Sequence, residues 1–199
     1  LPTFILLYGP TALILLATLA VSIQTHAPFE DFSRDPAAIG RISAFAGALS
    51  SLGILFWCAP SAICLFSAAL LWKKGGGTDF PLFFLLAGLF TLLLLLDDLF
   101  LFHEDFFLKY FNIGEKKTFA IYGLAVLALF YRFRASIFQT DFLLLLLACG
   151  FFGGSLLFDE LAEKLFVSLH PFEDGFKLLG IVSWAGYFIR ACFQVTRQI

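Results

Sequence analysis

Apolar residues run through this chain in long blocks, separated by short polar stretches that carry nearly all of the charge. A helix needs roughly 20 apolar residues to cross the hydrocarbon of a bilayer. Six blocks approach that length, at about 4–23, 42–71, 80–102, 118–133, 142–158 and 175–195. Little chain is left for a water-soluble domain. The pattern therefore predicts an all-α integral membrane protein. Its expected form is a six-transmembrane-helix bundle of three helical hairpins, a single transmembrane domain over residues 1–199. Pro10 and Pro60 fall inside blocks, where neighbouring helices must re-satisfy the freed carbonyls, and kinks are expected there. The second block is rich in small residues (Ala44, Gly47, Ala48, Ser50, Ser51, Gly53), which let helix backbones approach closely in lipid.

The polar punctuation repeats. Thr78-Asp79-Phe80 superposes on Thr140-Asp141-Phe142, and with no gap Gly88 then falls on Gly150, Phe90 on Phe152, Asp97 on Asp159 and Asp98 on Glu160. After a short shift in the connecting tip, Glu115 falls on Glu173 and Arg132 on Arg190. Apolar coincidences are cheap in so biased a sequence, but coincident charges are not. The pattern predicts a tandem duplication: hairpin 1–76, repeat A at 77–134 and repeat B at 139–199. Each repeat is a two-span hairpin, so the copies should share one orientation, as parallel repeats do.

Composition supports the membrane reading. The chain is 60% apolar and 14% charged, with a mean hydropathy of +0.92. Soluble domains are about 45–50% apolar and about 25% charged. A net charge of −2 counts against a nucleic-acid partner. The first block is too long for a signal-peptide core and lacks a clear cleavage site, so it reads as a retained helix. Residue 1 is Leu and no methionine occurs, so the true start is expected to lie upstream. Cys58, Cys64, Cys149 and Cys192 all fall in predicted spans without a Cys-x-x-Cys spacing, and read as small, buried, unpaired thiols.

Six spans put both termini on one face, with Lys73, Lys74, Arg132, Arg134, Arg190 and Arg197 against only Asp79 and Asp141. Basic residues number about the same on both faces, but here they are concentrated in very short loops. Both termini are accordingly expected in the cytoplasm, and the acidic hairpin tips on the extracytoplasmic side.

Candidate chemistry sits at those tips. Leu92–Asp105 reads LLLLLDDLFLFHED, five leucines running straight into paired aspartates. Acids at the end of an apolar span are costly, and by default they mark a site. The candidate set is Asp97, Asp98, His103, Glu104, Asp159, Glu160 and Glu163, with Glu115, His170, Glu173 and Asp174 as secondary members. On one continuous helix Asp97 shares a face with Glu104 and Asp98 with Asp105, while His103 points elsewhere. Stacked carboxylates raise one another's pKa and oppose the helix dipole. A bound cation, lysine partners (Lys109, Lys116, Lys117, Lys164, Lys177) or protonation must compensate. Oxygen-rich clusters suit Ca, Mg or Mn, and an added His shifts the preference toward Mn, Fe or Zn.

Plainer readings stand beside this one. Glu115, Glu173 and Asp174 stand where capping acids belong, directly before return spans. The paired acids would equally serve an interhelical polar network with Lys or backbone groups. His26 and His170 lie in tip loops beside Pro and read as surface histidines. No haem or nucleotide motif is present, and the motif sets of rhomboid proteases, alkaline ceramidases, zinc peptidases and intramembrane prenyltransferases are absent.

The leading expectation is binding or transport of a cation, either a divalent metal or a proton, by two acid pairs converging at one end of the bundle. The alternatives are an accessory or scaffold subunit of a membrane complex, and a metal-dependent hydrolase acting on lipid. Membrane lipid, partner membrane subunits or a second copy of the chain are the expected partners.

Overall fold

The computed structural model describes residues 2–43, 45–75, 78–165 and 169–197, with the side chains of residues 2, 3, 6, 7, 105 and 163 left out of the description. The described residues form helices and no strand. In chain order they are α1 (Pro2–Thr25), α2 (Glu30–Ser33), α3 (Pro36–Gly40), α4 (Ala48–Lys73), α5 (Phe80–Phe100), a π-helical turn (Phe102–Phe106), α6 (Phe107–Phe111), α7 (Glu115–Arg132), α8 (Arg134–Phe138), α9 (Phe142–Leu165) and α10 (His170–Arg197).

Among the described residues, five helices are long and apolar enough to cross a membrane: α1, α4, α5, α9 and α10. This is a multi-pass membrane protein. The sixth expected span, 118–133, lies in α7, whose 18 residues include Glu115, Lys116, Lys117 and Arg132. Charges at both ends leave α7 a shorter apolar middle than its neighbours. Other boundaries move by a few residues. The second span starts at Ala48 rather than near 42, and α10 starts at His170 rather than near 175.

The chain divides into two compact units, Leu1–Ala48 and Leu49–Ile199. In the first unit, Asp35 caps α3 by accepting a 2.7 Å hydrogen bond from the Ala37 amide, and the Ser22 hydroxyl donates to the Ala27 carbonyl at 2.7 Å. Among the described residues, none of the buried apolar side chains belongs to this unit.

The core lies in the second unit. Helix association in lipid depends on close packing and polar contacts, because lipid tails are as apolar as leucine. Both devices are present. A Cβ on Gly88 would stand 3.0 Å from Leu65 Cγ and 3.1 Å from Cys64 Cβ, so glycine there lets α4 and α5 meet. The Ser61 hydroxyl seals the contact by donating to the Gly88 carbonyl at 3.1 Å. Trp184 of α10 donates its indole N–H to Thr91 Oγ1 of α5 at 3.0 Å, deep in the core. Phe83 packs against Phe133 and Phe188 at centroid distances of 5.3 and 5.9 Å. Cys64 and Cys192 touch across α4 and α10 at 3.7 Å. All four cysteines are free, but only this pair is buried; Cys58 is exposed and Cys149 is half-buried.

The two candidate repeats pack in parallel ways. Phe90 and Phe152, which hold the same position in the repeated pattern, both lie against Trp184, at 6.3 and 6.5 Å. Phe90 also meets Tyr122 of α7 edge-on at 6.3 Å. A Cβ on Gly180 of α10 would strike the Phe152 ring at 2.7 Å. At the other end, Arg132 reaches Asp79 at 3.3 Å and Arg190 reaches Asp141 at 2.6 Å.

Candidate functional site

The span α5 carries Asp97 and Asp98 into its last turn and stops at Phe100. Leu101 adopts a left-handed conformation, φ 53 and ψ 42, with its amide bonded to the Asp97 carbonyl. A bulky L-residue there costs about 1–2 kcal/mol, so something must hold it in place. The bend and the π-helical turn after it swing His103 back onto Asp97. His103 Nδ1 lies 2.7 Å from Asp97 Oδ2, with both residues buried, 5% and 4% exposed. This corrects the continuous-helix expectation, in which His103 pointed away from Asp97. The break at Leu101 resets the phase of every residue after it.

Each carboxylate of the pair has two partners. Asp97 accepts from His103 and, on its other oxygen, from the Tyr122 hydroxyl at 3.0 Å. Asp98 accepts from the Trp57 indole N–H at 2.9 Å and from the Lys177 ammonium at 2.8 Å. Helices α4, α5, α7 and α10 therefore meet on two adjacent aspartates. His103 Nε2, the other ring nitrogen, lies 3.7 Å from Glu104 Oε1, and the Glu104 side chain is 54% exposed. Phe119 packs on the imidazole at 5.1 Å. The hydrogen bond to Asp97 raises the His103 pKa above its ordinary 6.5, and burial and the Lys177 charge oppose that rise without cancelling it.

The equivalent pair in α9 sits differently. Asp159 is exposed, and Glu160 forms 3.0 Å ion pairs with Lys116 of α7 and Lys164 of its own helix. Asp159 and Glu160 line a groove of about 260 Å³ with Glu115, Phe119, Ala120 and Leu156. No hydrogen bond or ion pair among the described residues joins Asp97 or Asp98 to Asp159 or Glu160. No described group of three or more His, Cys, Asp or Glu is placed to hold a metal ion. The side chains of Glu163 and Asp105 lie outside the described residues.

Glu115 opens α7, with Gly114 at the cap position and no side-chain cap bond. Glu173 and Asp174 do not precede the return span, because α10 already begins at His170 and Glu173 lies within its first turn. Exposed His170 pairs with Glu173 at 3.5 Å. His26 is exposed at a left-handed turn, φ 56.

Trp57 and Tyr122 escape sequence reasoning, because each lies inside an apolar block and reads as packing. Their depth relative to Asp98 and Asp97 is the only signal the sequence carries.

Residues 9–191 match the profile of the family described as Domain of unknown function (DUF8692). The chain belongs to that family. No curated protein and no solved structure matches it. The DUF8692 match spans all of α4 to α9 and α10 as far as Ala191, so the whole Asp97–Asp98 network lies within the family's domain.

Proposed function

We propose that this protein binds protons at the end of its membrane helices and passes them between water and the bundle interior through His103. The observation that carries this reading is the imidazole between two carboxylates. One ring nitrogen meets buried Asp97, and the other faces exposed Glu104. A proton taken up at Nε2 from the Glu104 side would let Nδ1 release its own proton toward Asp97, and the ring would then reset its tautomer before the next transfer.

Charge favours a proton over a metal. Buried Asp97 and mostly buried Asp98 face one lysine, so a proton on His103 offsets the remaining negative charge. A divalent cation would sit close to Lys177 and compete with the hydrogen bond that each aspartate oxygen already accepts. The metal form of the reading, with Ca, Mg, Mn or Zn at the acid pairs and His103, is the weaker one, since no described group of three or more His, Cys, Asp or Glu is placed to hold a metal ion.

In this reading α7 completes six spans in three hairpins, and repeats A and B are copies. Three features support the duplication: the Asp79–Arg132 and Asp141–Arg190 pairs closing each copy, Phe90 and Phe152 sharing Trp184, and Lys177 of copy B reaching Asp98 of copy A while Lys116 of copy A reaches Glu160 of copy B. The basic loops support a cytoplasmic side for the termini and an extracytoplasmic side for the network.

The test is an imposed pH gradient across proteoliposomes containing the purified protein, followed with an entrapped pH dye. The gradient should collapse faster than in empty vesicles, and His103→Gln and Asp97→Asn should each restore the slow decay. Equal decay with and without protein would sink the transport form. Stoichiometric binding of Mn or Zn by the wild type, lost in His103→Gln, would instead favour the metal form.

A further inference from the structure

We infer that the segment from Leu101 to Ile113 is an anchor seated in the headgroup layer of the bilayer, with its exposed rings in lipid and His103 turned into the protein. The inference rests on α5 crossing the membrane, and is independent of the proton reading.

At 1.5 Å per residue, the 21 residues of α5 extend about 31 Å, close to the thickness of the hydrocarbon. Phe100 therefore marks its edge. The left-handed Leu101 ends the span, and the π-helical turn and α6 together are far too short to cross again. A second left-handed residue, Asn112, closes α6, with its amide on the Leu108 carbonyl at 3.2 Å and the Ile113 amide on the Phe107 carbonyl at 3.1 Å. The segment is thus a folded element with defined ends.

One side of it is used by the protein, where His103 is buried against Asp97. The rest of its surface is mostly apolar and uncovered, with Phe106, Leu108, Tyr110 and Phe111 each at least 41% exposed beside exposed Glu104 and Lys109. These rings continue a ladder that begins on the span. Phe100 stacks on Phe102 at 5.6 Å, Phe102 meets Phe106 at 5.3 Å, and Phe106 meets Tyr110 at 4.9 Å. Exposed Leu99 and Phe100 stand on the α5 surface where the ladder starts.

That continuity decides the occupant. A patch of rings this large facing bulk water is rare in soluble surfaces, and here it extends a lipid-facing helix without a break. Phe and Tyr beside a lysine are the side chains that settle at the membrane–water boundary, and the Lys109 ammonium stands 5.8 Å from the Tyr110 ring centre, where it can reach lipid phosphate. Lipid thereby sets the height of His103 relative to the surface, and leaves Glu104 toward water.

The experiment uses the full chain in phosphatidylcholine vesicles. Tyr110→Trp is made in a Trp72→Phe background, and the emission it adds over that background is quenched in three ways. Lipid brominated high on the acyl chain should quench it on the order of twofold more than lipid brominated near the chain end, as a seat about 5–10 Å inside the boundary requires. Acrylamide in the water should be a weak quencher. Strong acrylamide quenching would put the segment in water, and quenching by neither agent would put protein, such as a second copy of the chain, over it. Either result overturns the inference, as does stronger quenching from the chain end. Phe111→Trp repeats the reading at a second ring, and the proton-gradient measurement is scored separately.

Discussion

Asp97-Asp98 and Asp159-Glu160 occupy the same place in the sequence pattern and opposite situations in the molecule. Both pairs end an apolar span that opens with Thr-Asp-Phe. The first is buried in a network drawn from four helices. The second lies at an exposed groove, with Glu160 held by surface lysines. The difference comes from the chain immediately after each pair. Beyond Asp98 the helix breaks at Leu101 and folds a histidine back over the aspartates, whereas α9 runs on unbroken to Leu165. An acid at a helix end is thus an ordinary surface group until a second element covers it. Covering makes it costly, and the cost demands partners.

The sharpest way to break this comparison is to remove the buried acid. Asp97→Ala leaves a buried imidazole and the Tyr122 hydroxyl without their acceptor, and should destabilise the protein by about 3–5 kcal/mol. Asp159→Ala should stay within about 0.5 kcal/mol. Unfolding in detergent followed by circular dichroism measures both, and equal losses would erase the distinction.

The lysines come next. Lys177→Gln withdraws a charged hydrogen bond from mostly buried Asp98 and should cost about 2 kcal/mol. Lys116→Gln, which loses a pair on exposed Glu160, should leave the unfolding midpoint where it was.

Glycines test the packing half of the same contrast. Gly88→Ala presses a methyl against Cys64 Cβ, which is fixed to the backbone of a fully buried residue and held close by the Ser61 bond, so it should cost about 1 kcal/mol. Its counterpart Gly150 has open space around it, and Gly150→Ala should be neutral or stabilising by up to about 1 kcal/mol through helix propensity. Thermal melts of the two variants side by side decide the point.

The smallest effect is a slope with pH. His103 has a folded pKa raised above 6.5, so its protonated form stabilises the fold. That contribution is complete below pH 6.5 and is lost as pH rises through the folded pKa. The melting temperature should therefore fall with pH above 6.5, and His103→Gln should flatten that part of the profile. A wild-type profile that is flat there, or that rises, would show that the imidazole carries no such linkage.

The sequence by itself determined a great deal about this protein. Blocks of apolar residues marked the five membrane-length helices found among the described residues, together with a sixth block at 118–133 that α7 holds with charges at both ends, because the thickness of a bilayer is a length that any chain must meet. The expense of carboxylates beside an apolar run marked Asp97 and Asp98 as unusual, and the coincident charges at 79 and 141, 98 and 160, 132 and 190 marked the two halves as alike. Periodicity could not foresee the break at Leu101, since nothing in the residue type demands a left-handed leucine. An unbroken helical phase therefore sets His103 on the wrong face. Nor could periodicity foresee that Trp57 and Tyr122, indistinguishable from packing residues along the chain, would turn their single polar atoms onto the aspartates. Those partnerships join residues 25 and 41 positions apart. Only the crossing of helices brings them within hydrogen-bond reach, and so only the tertiary structure decided which of two similar acid pairs is a surface group and which is a buried site.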